Sequence, residues 1–165
     1  MKKIYCSYLL ILTLSANAQE HNSILPQPQK VIYGKGQLAL KGLKIGFASK
    51  PGAEDKFAAQ ELVGIFSEII SVNIPVKESA AGASIIFERT GNADPLPLPV
   101  EKSGADSRES YSIKVTPSNI RITAKSSAGL FYGVQTLRQM VEGTGDKAII
   151  PEVEIEDWPS LTYRG

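Results

Sequence analysis

The chain has 165 residues, of which 42% are hydrophobic, and its 18 Lys and Arg against 17 Asp and Glu give a formal net charge of +1. This length is enough for one compact domain with its own hydrophobic core. The near balance of charge argues against nucleic acid or an anionic membrane surface as the main partner, since both require a marked excess of Lys and Arg.

Residues 1–18 have the pattern of a secretory signal peptide. Lys2 and Lys3 precede an apolar run from Ile4 to Leu14, and small residues in an A-x-A arrangement end at Ala18. The run is well short of the roughly 20 apolar residues of a membrane-spanning helix, so cleavage after Ala18 is favoured over a retained anchor. We therefore expect a secreted or periplasmic protein without a membrane span. The loss of both lysines changes the formal charge to −1.

Cys6 and His21 are the only cysteine and the only histidine of the sequence. Cys6 lies at the start of the apolar run, where a lipoprotein acceptor is not found, and it is removed with the signal peptide. A mature chain without cysteine has no disulfide, so its stability must come from an apolar core. With one imidazole and no thiol, neither a zinc site nor a Ser-His-Asp triad is expected, and we predict no metal and no cofactor.

The first half of the mature chain begins with an irregular leader, residues 19–29, because Pro26 and Pro28 oppose helix formation. A helix is predicted between residues 53 and 70, where apolar residues recur at three- and four-residue steps. Short strands and a surface loop are predicted around it from alternation and from glycine and proline positions. The predicted strands are 30–33, 37–40, 43–47, 73–77 and 83–88, and the proline-rich loop is 91–109, whose functional alternative is a ligand for a proline-binding partner.

The second half of the chain has clearer patterns of secondary structure. Residues 111–115 and 120–124 alternate apolar and polar side chains around four turn residues, which predicts a β-hairpin. A second amphipathic helix is predicted after Ser126, and a last strand over 149–155. Gly129 and Gly133 have the spacing of a membrane-helix dimer motif, but on an amphipathic helix close packing against a sheet is favoured.

These elements predict an α+β domain over residues 30–156. Two amphipathic helices and several strands favour two layers, a mixed or antiparallel sheet with both helices on one face. The acidic residues Glu152, Glu154 and Glu156 would share one face of the last strand. A solvated sheet edge is favoured over a catalytic role, because a general acid needs a raised pKa in a pocket. From the residues alone, the mature chain is interpreted as a non-catalytic module.

Four stretches, in their order along the chain, resemble the N-terminal domain of secreted bacterial β-N-acetylhexosaminidases of glycoside hydrolase family 20. The helix over residues 128–137 is the most specific of the four. The stretches are Leu25-Pro26-Gln27-Pro28, the hairpin 109–124, the helix AGLFYGVQTL at 128–137, and the close PEVEIEDWP at 151–159 that leads to Tyr163-Arg164-Gly165.

The resemblance implies that a catalytic (β/α)8 barrel follows this domain and that residues 157–165 are a linker and the start of its first strand. Arg164 would contact hydroxyls of the terminal N-acetylhexosamine and is the one substrate-binding residue predicted here. The family's Asp-Glu pair, which assists attack by the substrate's own acetamido group, would lie in the barrel, so no catalytic residue is predicted in this chain. The implied partners are N-acetylhexosamine-containing glycans, reached through the barrel, and the barrel itself, against which the domain packs.

Two alternatives stay open at this point. The β-N-acetylglucosaminidases of family 84 have a similar N-terminal domain and a similar Asp-aromatic-Pro-Ser junction, which Pro159 and Ser160 suit. A stand-alone binding or scaffold module would explain the absence of catalytic groups without any barrel.

Overall fold

The computed structural model describes residues 23–71, 73–92 and 102–161. The predicted signal peptide, His21 and Arg164 lie outside these ranges, so the predictions made for them stay predictions. The elements in chain order are β1 (Lys30–Ala39), β2 (Ile45–Phe47), α1 (Ala53–Ile70), β3 (Ile85–Arg89), β4 (Tyr111–Val115), β5 (Ile120–Ala124), α2 (Ser127–Gln139), a short 3-10 helix (Gly145–Lys147) and β6 (Ile149–Asp157).

The strands form one mixed sheet in the order β1-β6-β4-β5-β3-β2. The pairs β1–β6, β6–β4 and β4–β5 are antiparallel, whereas the pairs β5–β3 and β3–β2 are parallel. Helices α1 and α2 pack against each other, and both contact β3. The buried side chains of the strands alternate with exposed or half-exposed ones, as expected for a sheet with one covered face. The predicted two-layer α+β fold is confirmed.

Helix α2 lies close to the sheet because two of its buried residues are glycines. A Cβ atom at Gly129 would lie 2.4 Å from the carbonyl oxygen of Ser110, and one at Gly133 would lie 2.6 Å from Cγ2 of Ile122. The predicted interpretation of this glycine pair as helix–sheet packing is therefore confirmed. Within the described ranges, neither helix is long and apolar enough to cross a membrane.

Strand β1 is continuous, although two strands separated by glycines were predicted in its place. The pairing with β6 shifts register between Tyr33 and Gln37, and the backbone N–H of Gly36 donates to Glu152 Oε2 at 2.9 Å. A Cβ atom at Gly34 would lie 2.5 Å from the Glu152 side chain. The glycines therefore allow a β-bulge that encloses the Glu152 carboxylate, and such a bulge bends a strand without ending it.

The prediction of a strand at 73–77 is wrong. Within its described residues only Val76 forms a bridge, to Ile45 of the short strand β2. Backbone bonds from Ile45 N to Pro75 O and from Lys77 N to Ile45 O, each 2.9 Å, hold this segment along the sheet border. Pro75 has no N–H to donate, which prevents a regular ladder here.

The acidic strand β6 lies inside the sheet, between β1 and β4, and not at an edge as expected. The rest of the prediction is confirmed, because Val153 and Ile155 are buried while Glu154 and Glu156 are exposed. Lys114 Nζ lies 2.5 Å from Glu154 Oε1, and this hydrogen bond lowers the pKa of the Glu154 carboxyl. A lowered pKa is the opposite of what a general acid requires.

A buried carboxylate ties the two helices to the sheet. Asp55, 2% exposed in the first turn of α1, accepts hydrogen bonds from Arg89 Nε at 2.9 Å and from Ser127 Oγ at 2.8 Å. It also accepts from the backbone N–H of Gly52 at 2.8 Å. The donors come from the end of β3, the first residue of α2 and the residue before α1, so one side chain sets how three elements meet.

We predict that Asp55→Ala destabilises the domain by about 3–5 kcal/mol, because it leaves the Arg89 guanidinium buried without its partner. Urea unfolding followed by the fluorescence of Trp158 would measure this change. Glu78→Gln is the matched control. Glu78 pairs with Lys56 of α1 at 2.6 Å but is largely exposed. The loss of this ion pair should cost less than about 1 kcal/mol. Equal effects of the two variants would contradict the role given to Asp55.

Candidate functional site

The end of β6 is held by the carboxylate of Asp157. Its Oδ2 accepts a hydrogen bond from the hydroxyl of Tyr111 at 2.9 Å, and its Oδ1 accepts from the backbone N–H of Gln29 at 3.3 Å. The Tyr111 hydroxyl also lies 2.5 Å from Thr136 Oγ1 of α2. The last strand, β4 and the leader therefore meet at one carboxylate, and Tyr111 extends this connection to α2.

The three residues that follow β6 are held from two sides. On one side, Gln29 Nε2 donates to the carbonyl oxygen of Trp158 at 3.3 Å and to Ser160 Oγ at 2.7 Å. On the other side, the N–H of Gly104 donates to the carbonyl oxygen of Pro159 at 2.8 Å. These bonds fix the direction in which the chain leaves the domain.

The described part of the leader, residues 23–29, contains no helix or strand, and it is anchored to α2. The backbone N–H of Leu25 donates to Gln139 Oε1 at 2.9 Å, and Gln139 Nε2 donates back to the carbonyl oxygen of Leu25 at 3.0 Å. The neighbouring Ile24 is buried, whereas the Leu25 side chain is 73% exposed. The two hydrogen bonds to Gln139 thus hold a large apolar side chain at the surface.

Two clefts flank the exit of the chain. One, of about 210 Å³, lies between the leader and α2 and is lined by Leu25, Pro26, Tyr132 and Trp158 among others. The other, of about 270 Å³, is lined by residues on both sides of the exit, including Leu161, which is 71% exposed. We call these five residues, Leu25, Pro26, Tyr132, Trp158 and Leu161, the exit surface.

Aromatic rings extend this surface along the helices. Tyr132 meets Phe131 edge to face with 6.1 Å between ring centroids, and Phe131 stacks on Phe57 of α1 at 6.0 Å. Phe57 is 54% exposed. Phe131 and Tyr132 are half-buried and also pack against the core, so Phe57 is the exposed end of this row of rings.

The groups at this site bind and position, and they form no reaction centre. The Asp157 carboxylate is committed to two protein donors, and among the described residues no group of three or more His, Cys, Asp and Glu side chains could hold a metal ion. Sequence reasoning singled out Trp158 as part of the junction but missed Gln29 and Gln139. Their role depends on contacts across more than 100 residues, which no local pattern encodes.

Known proteins resemble this chain along most of its length. The model of glycosyl hydrolase family 20, domain 2, matches residues 21–158. A β-hexosaminidase of Vibrio vulnificus is 30% identical over 162 residues, which cover 98% of this chain and 16% of that protein. A β-hexosaminidase of Porphyromonas gingivalis is 32% identical over 103 residues, 58% of this chain and 12% of that protein. The chain therefore spans less than a fifth of these relatives.

Solved structures agree with the sequence relatives. The chitobiase of Flavobacterium johnsoniae superimposes with a TM-score of 0.71 at 25% identity, over 87% of this chain and 22% of that one. The β-N-acetylhexosaminidase of Streptomyces coelicolor gives a TM-score of 0.68 over 87% of this chain and 28% of that one, and its 22% identity shows the fold alone.

The match of the domain 2 model to most of the chain agrees with the sequence relatives and with the shared fold. The family 84 alternative finds no support in these similarities, and a stand-alone module is not favoured. The chain belongs to glycosyl hydrolase family 20, in which it is domain 2.

Proposed function

We propose that the chain is the non-catalytic domain that holds and orients the catalytic barrel of a β-N-acetylhexosaminidase. The whole protein would remove terminal β-linked N-acetylhexosamine from glycans, with the substrate's acetamido group as nucleophile. Support comes from the family and from relatives named as hexosaminidases that are several times longer than this chain.

The fixed exit of the chain is the observation that carries this proposal. Gln29 and Gly104 hold residues 158–160 from two sides, so whatever follows leaves the domain in one direction. A flexible tether between independent domains would not need these bonds, since linkers are usually exposed and make few contacts. The exit thus has the properties of a rigid connection between two packed domains.

The exit surface gives that second domain an apolar area on which to pack. Leu25 and Leu161 are mostly exposed and border the two clefts beside Trp158. Burial of each Leu side chain would stabilise an interface by about 1.5–3 kcal/mol. The barrel is the proposed occupant because it is joined to this exit and because the relatives contain most of their length outside the matched region.

Three acidic residues of β6 bond to groups of the domain itself. Glu154 pairs with Lys114, Glu156 pairs with Lys30 at 2.8 Å, and Glu152 accepts from the backbone of the β1 bulge. The acid and the acetamido-orienting carboxylate of the proposed reaction are therefore assigned to the barrel, where active sites lie at the C-terminal ends of the strands.

We predict that the purified 165-residue chain does not hydrolyse an aryl N-acetyl-β-glucosaminide, whereas the whole protein does. A chromogenic release assay at matched molar concentrations measures both, with the substrate alone as the blank. Turnover by the chain alone, above the blank and retained after further purification, would place catalytic groups in this domain and contradict the proposal. A whole protein without activity on β-linked N-acetylhexosamine would contradict the proposed reaction.

Arg164 is proposed to bind hydroxyls of the terminal sugar once the barrel is in place. A charged hydrogen bond of this kind contributes about 1.5–3 kcal/mol, so Arg164→Ala in the whole protein should lower kcat/KM by about 10- to 100-fold. Arg121→Ala is the control, since Arg121 pairs with Glu88 on the open face of the sheet and should leave kcat/KM unchanged. Equal kinetics of the Arg164→Ala variant and the unsubstituted enzyme would remove Arg164 from the substrate site.

A further inference from the structure

A third cleft, of about 260 Å³, opens where the polar face of the sheet meets the exit of the chain. Its lining includes Trp158, Glu156, Ser112, Thr123 and Lys125. The proposed reaction does not use this cleft, and of the exit surface only Trp158 lines it. Its volume lies just below the range of small-molecule pockets, which begins at roughly 300 Å³.

The floor of the cleft is a row of polar side chains fixed by strand register. Ser112 of β4 pairs with Glu156 of β6 on one side and with Thr123 of β5 on the other. Residues paired in this way project to the same face of the sheet with their Cβ atoms about 4.5–5.5 Å apart. The row therefore presents two hydroxyls and a carboxylate at fixed spacing on rigid strands.

These polar groups have capacity left for a ligand. Oε1 of Glu156 accepts from Lys30 Nζ at 2.8 Å, and within the described part of the chain neither Glu156 Oε2 nor Ser112 Oγ has a protein partner. A carboxylate oxygen accepts from hydroxyls, and a serine hydroxyl both donates and accepts. The cleft thus matches a ligand that is rich in hydroxyl groups.

Two of the three charged side chains that line the cleft have partners of opposite charge. Glu156 is paired with Lys30, and Lys125 Nζ lies 2.7 Å from Asp106 Oδ1. The third, Asp157, accepts from the neutral donors Tyr111 and Gln29, so its negative charge disfavours an anionic ligand. The half-buried Trp158 adds an amphipathic aromatic group at the border. A neutral ligand with one apolar face and a polar edge fits this combination.

We infer that this cleft is an accessory subsite for a neutral pyranose unit of the glycan chain. The C–H face of the ring would lie against Trp158, and its hydroxyls would bond to Glu156 and Ser112. The identity of the glycan rests on the proposed function, but the subsite belongs to this domain and does not need the barrel. Since the floor of the cleft consists of strands that are already ordered, binding does not need to order the backbone there.

Tetra-N-acetylchitotetraose titrated into the ¹⁵N-labelled chain tests this inference. Trp158 is the only Trp of the sequence, so its indole N–H gives one assignable signal. We expect this signal and the amides of Ser112 and Thr123 to shift with saturation. Hydrolytic activity of the whole protein is a separate measurement, so a failed titration and a failed proposal for the reaction are distinguishable.

Matched variants separate the cleft from the rest of the polar face. Glu156→Gln and Ser112→Ala should each weaken binding about tenfold, because the first replaces a charged acceptor with a neutral amide and the second removes a hydroxyl group. Glu154→Gln is the control, since Glu154 lies two residues away on the same strand with its own Lys partner. Retained dispersion of the amide spectrum shows that each variant is folded. No shift of the Trp158 signal, shifts confined to other surfaces, or equal losses for Glu154→Gln and Glu156→Gln would each overturn the subsite.

Discussion

The hydrogen bonds of the Asp157 carboxylate are the constraint on which the functional surface depends. They join the end of β6 to Tyr111 of β4 and to the leader at Gln29, and Tyr111 extends the connection to Thr136 of α2. A charge-assisted bond is shorter and stronger than a neutral one, so a carboxylate is suited to this position. Because Asp157 holds the leader in place, the Gln29 side chain can bond to the carbonyl oxygen of Trp158. This bond fixes the direction of the backbone where it leaves the domain.

The contribution of a polar group to the stability of this domain depends on how deeply the group is buried. The Asp55 network is buried and joins both helices to β3, so the loss of one partner is costly. The ion pairs on the open face, such as Lys114–Glu154, are exposed and contribute about 0–1 kcal/mol each. The exposed pairs therefore balance charges on the open face and add little to stability.

Local patterns predicted the helices and the hairpin, because an apolar stripe or an alternation lies within a few residues. They failed where a distant partner decides the structure. Gly34 and Gly36 looked like a break between strands, yet the Glu152 carboxylate, more than 100 residues away, turns them into a bulge. The predicted edge position of β6 was wrong because alternation gives the buried face of a strand but not its neighbours. Of the exit surface, only Trp158 could be predicted from the sequence. Leu25 is held there by a hydrogen bond to Gln139, which is distant in the sequence.

The proposed role of the exit surface in holding the barrel can be tested most directly with two exposed apolar residues on different faces. Leu25 borders the exit, and Ile32, 51% exposed, lies on β1 away from it. In the isolated chain, Leu25→Asp and Ile32→Asp should both leave Tm nearly unchanged, as surface substitutions usually do. In the whole protein, calorimetry should give a clear drop in Tm for Leu25→Asp and none for Ile32→Asp. Equal behaviour of the two variants in the whole protein would contradict the account.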